Sequence, residues 1–213
     1  WPGTYVLNVT PGAPRVGGEN LTDYMVRFVS TKLLSTGLWD GVFYDNAWDS
    51  ITYFVGNDVD VNGDGRSDTN ANTEWQNGMK NLYRKTKEIN PSAIIIGNGT
   101  TRQYQQELNG KMLENFAANA WTNTMNTYQA NSRGTAAPRV NIINSNTSNT
   151  GKENLQQVRF GLGSALLEDG YFSYDHGDQN HGQTWWYDEY DVALGEPLSP
   201  SLAANTQGSY QPD

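Results

Sequence analysis

The sequence predicts an α/β fold, a (β/α)8 TIM barrel read from about its third strand to its eighth. Two patterns predict it. Short apolar runs alternate with segments of helical periodicity, as strands and crossover helices do around a parallel sheet. Several runs also end in a carboxylate: Gly41-Val42-Phe43-Tyr44 leads into Asp45, Lys111-Met112-Leu113 into Glu114, and Tyr171-Phe172-Ser173-Tyr174 into Asp175. The C-terminal ends of barrel strands form the active face, so a carboxylate that ends a buried strand points toward chemistry. An open doubly wound sheet is the rival arrangement, but no glycine-rich phosphate fingerprint follows a strand.

The elements follow in order. Tyr5-Val6-Leu7-Asn8-Val9 reads as a strand. Leu21, Tyr24, Met25, Phe28, Val29 and Leu33 recur at helical spacing, with Asn20 as N-cap and Gly37 as stop. Val42-Phe43-Tyr44 is the next strand. Trp75, Met79, Leu82, Thr86 and Ile89 mark a second helix, closed by Pro91. Ala93-Ile94-Ile95-Ile96 is apolar throughout, as suits a strand buried on both faces. A short helix is expected over Arg102–Leu108, a strand over Lys111–Glu114, a helix over Asn123–Ala130 and a strand over Val140–Asn144. Leu155, Val158, Leu162 and Leu166 give the last helix face, and Tyr171–Tyr174 the last strand. A closed barrel needs eight strands and about 250 residues. The 213-residue chain is therefore expected to begin in mid-fold, with 1–198 a partial catalytic barrel and 199–213 a loop leading out of it.

Composition narrows the partners. Acidic residues outnumber basic ones, 23 to 14, for a formal charge of −9. That disfavours nucleic acid and anionic membrane surfaces, both of which ask for a positive face. No apolar run approaches the roughly 18 residues of a membrane span. Cysteine is absent, which removes disulfides and thiol chemistry. Seven Trp and twelve Tyr stand among many Asn and Gly. Flat rings stack on pyranose faces and amides pair with hydroxyls, so a carbohydrate partner and an extracellular, secreted setting are expected.

Glycoside cleavage needs one carboxylate as nucleophile or base and another to protonate the leaving oxygen. Asp45 suits the first role. Glu114 suits the second, because its neighbours Met112, Leu113, Phe116 and Ala117 are apolar. Asn8, Asn98 and Asn144, at or near strand ends, offer amides to sugar hydroxyls, and Trp48 follows Asp45 closely. Asp175 and His176 open a substrate loop ahead of Trp185 and Trp186, which could supply a stacking wall or simply cover the barrel end. Asp175, His176, Asp178 and His181 could instead hold a catalytic metal, although their spacing matches no familiar zinc motif. In Asp58-Val59-Asp60-Val61-Asn62-Gly63-Asp64-Gly65-Arg66-Ser67-Asp68, oxygen donors alternate and glycines allow a tight turn, as in a Ca²⁺ loop. Asp60, Asn62, Asp64 and Asp68 match positions one, three, five and nine of a dockerin-like loop. Position twelve is Ala71, with Glu74 three residues on. Such an ion, with Asp58 beside it, would pin the loop structurally.

Trp39-Asp40-Gly41-Val42-Phe43-Tyr44-Asp45-Asn46-Ala47-Trp48-Asp49-Ser50-Ile51 resembles glycoside hydrolases of the hypothetical glycosyl hydrolase family 15 type. So do the acidic loop, the Asn109–Phe116 segment and Tyr187–Pro197. The resemblance implies a TIM-barrel glycosidase, distantly similar to α-galactosidase-type and polygalactosaminidase-like barrels, with Asp45 and Glu114 matching the usual strand-end pair. Cleavage of a poly- or oligosaccharide is thus the expected function. A non-catalytic carbohydrate-binding barrel and a metal-dependent hydrolase are the alternatives.

Overall fold

The computed structural model describes residues 5–116, 120–180, 182–183 and 185–201. Described residues up to Gly97 pack with Gln103–Leu108 as one compact unit, and Asn98–Arg102 pack with Asn109 onward as a second. Every strand pairing described is parallel, and helices alternate with strands, so the α/β class holds.

In the first unit, α1 (Leu21–Phe28) starts where the Asn20 side chain accepts the Asp23 amide. Its continuation widens into a π-helical turn over Val29–Leu33 and then tightens to a 3₁₀ turn over Leu34–Thr36. Hydroxyls bond back to carbonyls along this stretch, Thr31 to Arg27 and Ser35 to Thr31, a contact that loosens helical geometry. Gly37, at φ 68°, ends it as the sequence predicts. Strand β1 (Gly41–Tyr44) pairs with β2 (Ile94–Asn98), with Val42 opposite Ile95 and Tyr44 opposite Gly97. Between them run the short α2 (Ile51–Val55), which the periodicity did not signal, and α3 (Ala71–Ile89). Of the predicted stripe, Trp75, Met79, Leu82 and Thr86 form the buried face of α3, whereas Ile89, its last residue, is exposed. That face meets Tyr44 and Ile95, and the Tyr44 hydroxyl lies 2.9 Å from that of Thr86.

Two expectations fail here. Tyr5–Val9 forms no strand. Its polar groups go to side chains and loops instead: the Asn8 amide donates to the Val61 carbonyl, Thr10 N to Asn8 Oδ1, and the Thr22 hydroxyl to the Val9 carbonyl. Arg102–Leu108 is a series of turns, not a helix. Tyr104 takes φ 68°, a left-handed value that a right-handed helix excludes.

In the second unit, β3 (Gly110–Leu113) pairs with β4 (Ile142–Asn146), and β4 with β5 (Tyr171–Asp175). The strand expected over Val140–Asn144 is displaced by two residues, because Val140 N and the Asn141 side chain bond to Asn109 and Lys111 around the incoming loop. Helix α4 (Trp121–Gly134) is longer than its weak apolar pattern suggests. Tertiary bonds supply the difference: Tyr128 donates to the Ala165 carbonyl, and the Trp121 indole to Ser164, both on α5 (Leu155–Leu166). One cross-strand row, Leu113–Ile143–Phe172, packs against Met125, Tyr128 and Ala165. Among the described residues, no helix is long and apolar enough to cross a membrane.

Close approach makes some glycines obligatory. A Cβ at Gly110 would sit 1.6 Å from the Val140 carbonyl oxygen, whereas one at Gly163 meets nothing within 4 Å. Gly110→Ala should therefore cost about 1–3 kcal/mol through overpacking. Gly163→Ala should be neutral or gain up to about 1 kcal/mol, as expected inside a helix. Urea unfolding of the two variants checks both, and equal midpoints would contradict the packing described.

Candidate functional site

Side chains alternate across a strand, and this places the polar groups. In the first unit, Tyr44 and Ile95 face α3, so Phe43 and Ile96 face the other way and Asp45, one residue past β1, continues that second face. The chain turns sharply after it, because Asn46 adopts φ 56°, a conformation that Asn tolerates better than most residues. Helix α3 fixes the loop that follows. The Trp48 carbonyl accepts both the Trp75 indole N–H at 2.9 Å and the Tyr104 hydroxyl at 2.7 Å, and the Gln76 amide donates to the Asp49 carbonyl. Asp45 is exposed and lines a cleft of about 460 Å³ with Phe43, Asn46, Trp48 and Trp75. Trp48 stacks on Phe54, with ring centroids 3.5 Å apart, so one of its faces is already covered.

In the second unit, the Leu113–Ile143–Phe172 row faces the helices. The next residues along, Glu114, Asn144 and Ser173, therefore share the opposite face, with Asp175 two beyond Ser173. Glu114 follows β3 directly and accepts the Asn98 amide at 3.1 Å. Asn115, the residue after it, has φ 56°, the same turn that follows Asp45. Asn144 is buried inside β4, two residues short of the strand end. Its amide nitrogen donates to Ser173 Oγ at 2.9 Å and to Asp175 Oδ2 at 3.2 Å. A carboxylate only accepts, so this contact fixes which way round the amide sits. Asn144 Oδ1 is then a buried acceptor with no partner among the described residues.

Other predicted residues lie elsewhere. Asn8 uses both ends of its amide to tie its own segment to Val61 and Thr10. The backbone of His176 bonds to Gln183, Thr147 and Asn149, and Gly151 lies beside its ring. Trp185 packs on Tyr174, on the α5 side of β5 and opposite Ser173 and Asp175. Trp186 stands exposed. No group of three or more His, Asp or Glu side chains among the described residues is arranged to hold a metal ion; His181 lies outside those residues.

The acidic loop is held by its own amides. Asp60 accepts from the backbone N–H groups of Asn62, Gly63, Asp64 and Gly65, Asn62 from Asp64, Asp64 from Arg66, and Asp68 from Val61, while the Ser67 hydroxyl donates to Asp58. The Gly65 amide, with those of Gly63, Asn62 and Asp64, holds the Asp60 carboxyl below its usual range despite some desolvation. Sequence reading missed Ser173, Gln76 and Tyr104 as positioning residues. It took Trp75 for core alone, although a buried indole N–H demands an acceptor.

Because folding lowers the Asp60 pKa, its support for the loop is complete above the unfolded carboxylate range and lost as pH falls through the folded value. Amide exchange at Gly63 and Gly65, after correction for intrinsic rates, should therefore quicken below about pH 4 and in Asp60→Asn at neutral pH. Unaltered protection in that variant would contradict the role.

No curated protein matches the chain. The model of one family, described as hypothetical glycosyl hydrolase family 15, matches residues 1–211. With that match spanning nearly the whole sequence, and with polar strand-end residues on the face away from the helices, the chain belongs to hypothetical glycosyl hydrolase family 15.

Proposed function

We propose that the protein hydrolyses glycosidic bonds of a poly- or oligosaccharide, on strands of the (β/α) barrel type. The observation that carries this reading is the polar row Glu114, Asn144, Ser173 and Asp175 on the face of β3–β5 turned from the helices, in a chain of a glycosyl hydrolase family. Asp45 is the nucleophile or base, and Glu114 the general acid/base. An oxocarbenium-like transition state needs carboxylate charge on one side and a proton donor at the leaving oxygen. Asn98 orients the Glu114 carboxyl. The unpartnered Asn144 Oδ1 accepts a substrate hydroxyl, which would satisfy a buried acceptor that is otherwise costly.

Reducing-sugar release from a polysaccharide panel tests the reading. Asp45→Asn and Glu114→Gln should each lower turnover on the order of 10²–10⁴-fold with unchanged melting. In Asp45→Ala, azide should restore bond cleavage with a glycosyl azide as product if Asp45 is a nucleophile, read by mass spectrometry of the products. Wild-type rates in both Asp45→Asn and Glu114→Gln would refute the assignment of roles, and release from no substrate would refute hydrolysis.

We further propose that the acidic loop binds Ca²⁺ by turning its carboxylates, which now accept backbone amides and are not grouped around a cation position, toward the ion. Support comes from the alternating oxygens of Asp60, Asn62, Asp64 and Asp68 and from the left-handed turns of Gly63 and Gly65, φ 80° and 84°. Asp58 would add charge nearby. The cation would supply loop rigidity and no chemistry. Millimolar CaCl₂ should raise the melting temperature over EDTA by a few degrees, and Asp60→Asn with Asp64→Asn should abolish the difference. Identical melting of the wild type in both conditions would remove the cation.

A further inference from the structure

We propose that Trp186 is the platform of a second carbohydrate-binding site, on the α5 side of β5 and separate from the strand-end polar row. Trp186 is 69% exposed yet makes two contacts within its own turn. Its N–H donates to Asp191 Oδ2 at 3.2 Å, and the Tyr190 ring meets it edge-on at 5.4 Å and 89°. Behind Tyr190 the contacts run inward: Tyr190 to Tyr187 at 5.6 Å, Tyr187 to Tyr174 at 5.9 Å, and these rings pack with Val158 of α5. Arg159 of α5 anchors the same turn by an ion pair to Glu189 at 2.6 Å.

A large apolar ring so exposed gives up solvation free energy unless something covers it. Most exposed side chains lose rotamer freedom on binding; the Asp191 bond and the Tyr190 contact already favour one placement of this ring, which lowers the ordering cost for a ligand that lands on it. The shape is a flat π face with carboxylates beside it, Asp191 on the indole nitrogen and exposed Asp188 in the same turn. The acidic surround repels anionic ligands. It suits a neutral pyranose, whose C–H face stacks on the indole while its hydroxyls donate to carboxylate oxygens. Strand alternation puts Tyr174, the innermost of the rings behind the platform, on the α5 side of β5 and Ser173 and Asp175 on the other. The choice of carbohydrate as ligand rests on the glycosidase reading; the contacts and exposure of the platform do not.

Native affinity electrophoresis through gels containing a neutral β-glucan, xylan, galactan or α-glucan tests it, with Asp45→Asn in every chain to prevent cleavage. At least one polysaccharide should retard this chain. Adding Trp186→Ala should weaken binding at least tenfold with unchanged circular dichroism, and Trp186→Tyr should retain part of it. Equal retardation with and without Trp186→Ala overturns the platform, as does failure of every polysaccharide to retard the parent chain. A dimer in sedimentation velocity that Trp186→Ala disperses also overturns it, by assigning the surface to a second copy. Wild-type hydrolysis, measured separately, keeps the two readings apart. Hydrolysis with binding that ignores Trp186 sinks only the platform, and Trp186-dependent binding without hydrolysis sinks only the glycosidase.

Discussion

A strand that packs one face against helices has only its other face left for chemistry. Side chains alternate with a period of two, so each strand of four or five residues offers the helices one or two positions and the opposite face about as many. Leu113, Ile143 and Phe172 take the helix side in the second unit, and Glu114, Asn144 and Ser173 fall on the other side as a consequence. A slip of one residue in register would bury three polar groups under α4 and α5 and lift an apolar row out. The packing of Met125, Tyr128 and Ala165 therefore fixes the polar row without touching it.

The turns after the strands extend this logic. Asp45 and Glu114 are each followed by an Asn at φ 56°, so each strand stops at its carboxylate and the chain departs at once. The loops beyond are then held by single well-placed acceptors. The Trp48 carbonyl receives two donors from the scaffold, and the Asn144 carbonyl receives the Phe116 amide. Rigid positioning of this kind is what a catalytic group requires, since small displacements from productive geometry are costly.

The elements with strong periodicity were legible. The α3 stripe from Trp75 to Thr86, the Asn20 cap and the Gly37 stop depend on local chemistry, and the structure has them where the sequence puts them, with Ile89 at the helix end left exposed. What could not be read locally is set by partners distant in sequence. Tyr5–Val9 has strand composition, but its hydrogen bonds go to Thr22 and Val61. Arg102–Leu108 has helix composition, but Tyr104 turns left-handed and reaches Trp48. The site was legible in the same uneven way. Carboxylates that close apolar runs are visible in the sequence, whereas the link from Asn144 to Ser173 and Asp175 exists only once β4 and β5 are in register. The same register separates Trp185 from Asp175, ten residues apart in sequence and on opposite sides of one strand.

The doubly used carbonyl of Trp48 has an optical consequence. Trp75 donates its indole N–H to that carbonyl while Trp48 itself lies flat on Phe54. Any local opening of the loop beside Asp45 would break the bond to one indole and unstack the other, changing the emission of both. The loop thus carries one indole and is bonded to another on α3, and intrinsic fluorescence can follow its opening at temperatures where the helices, seen by far-ultraviolet dichroism, are still intact.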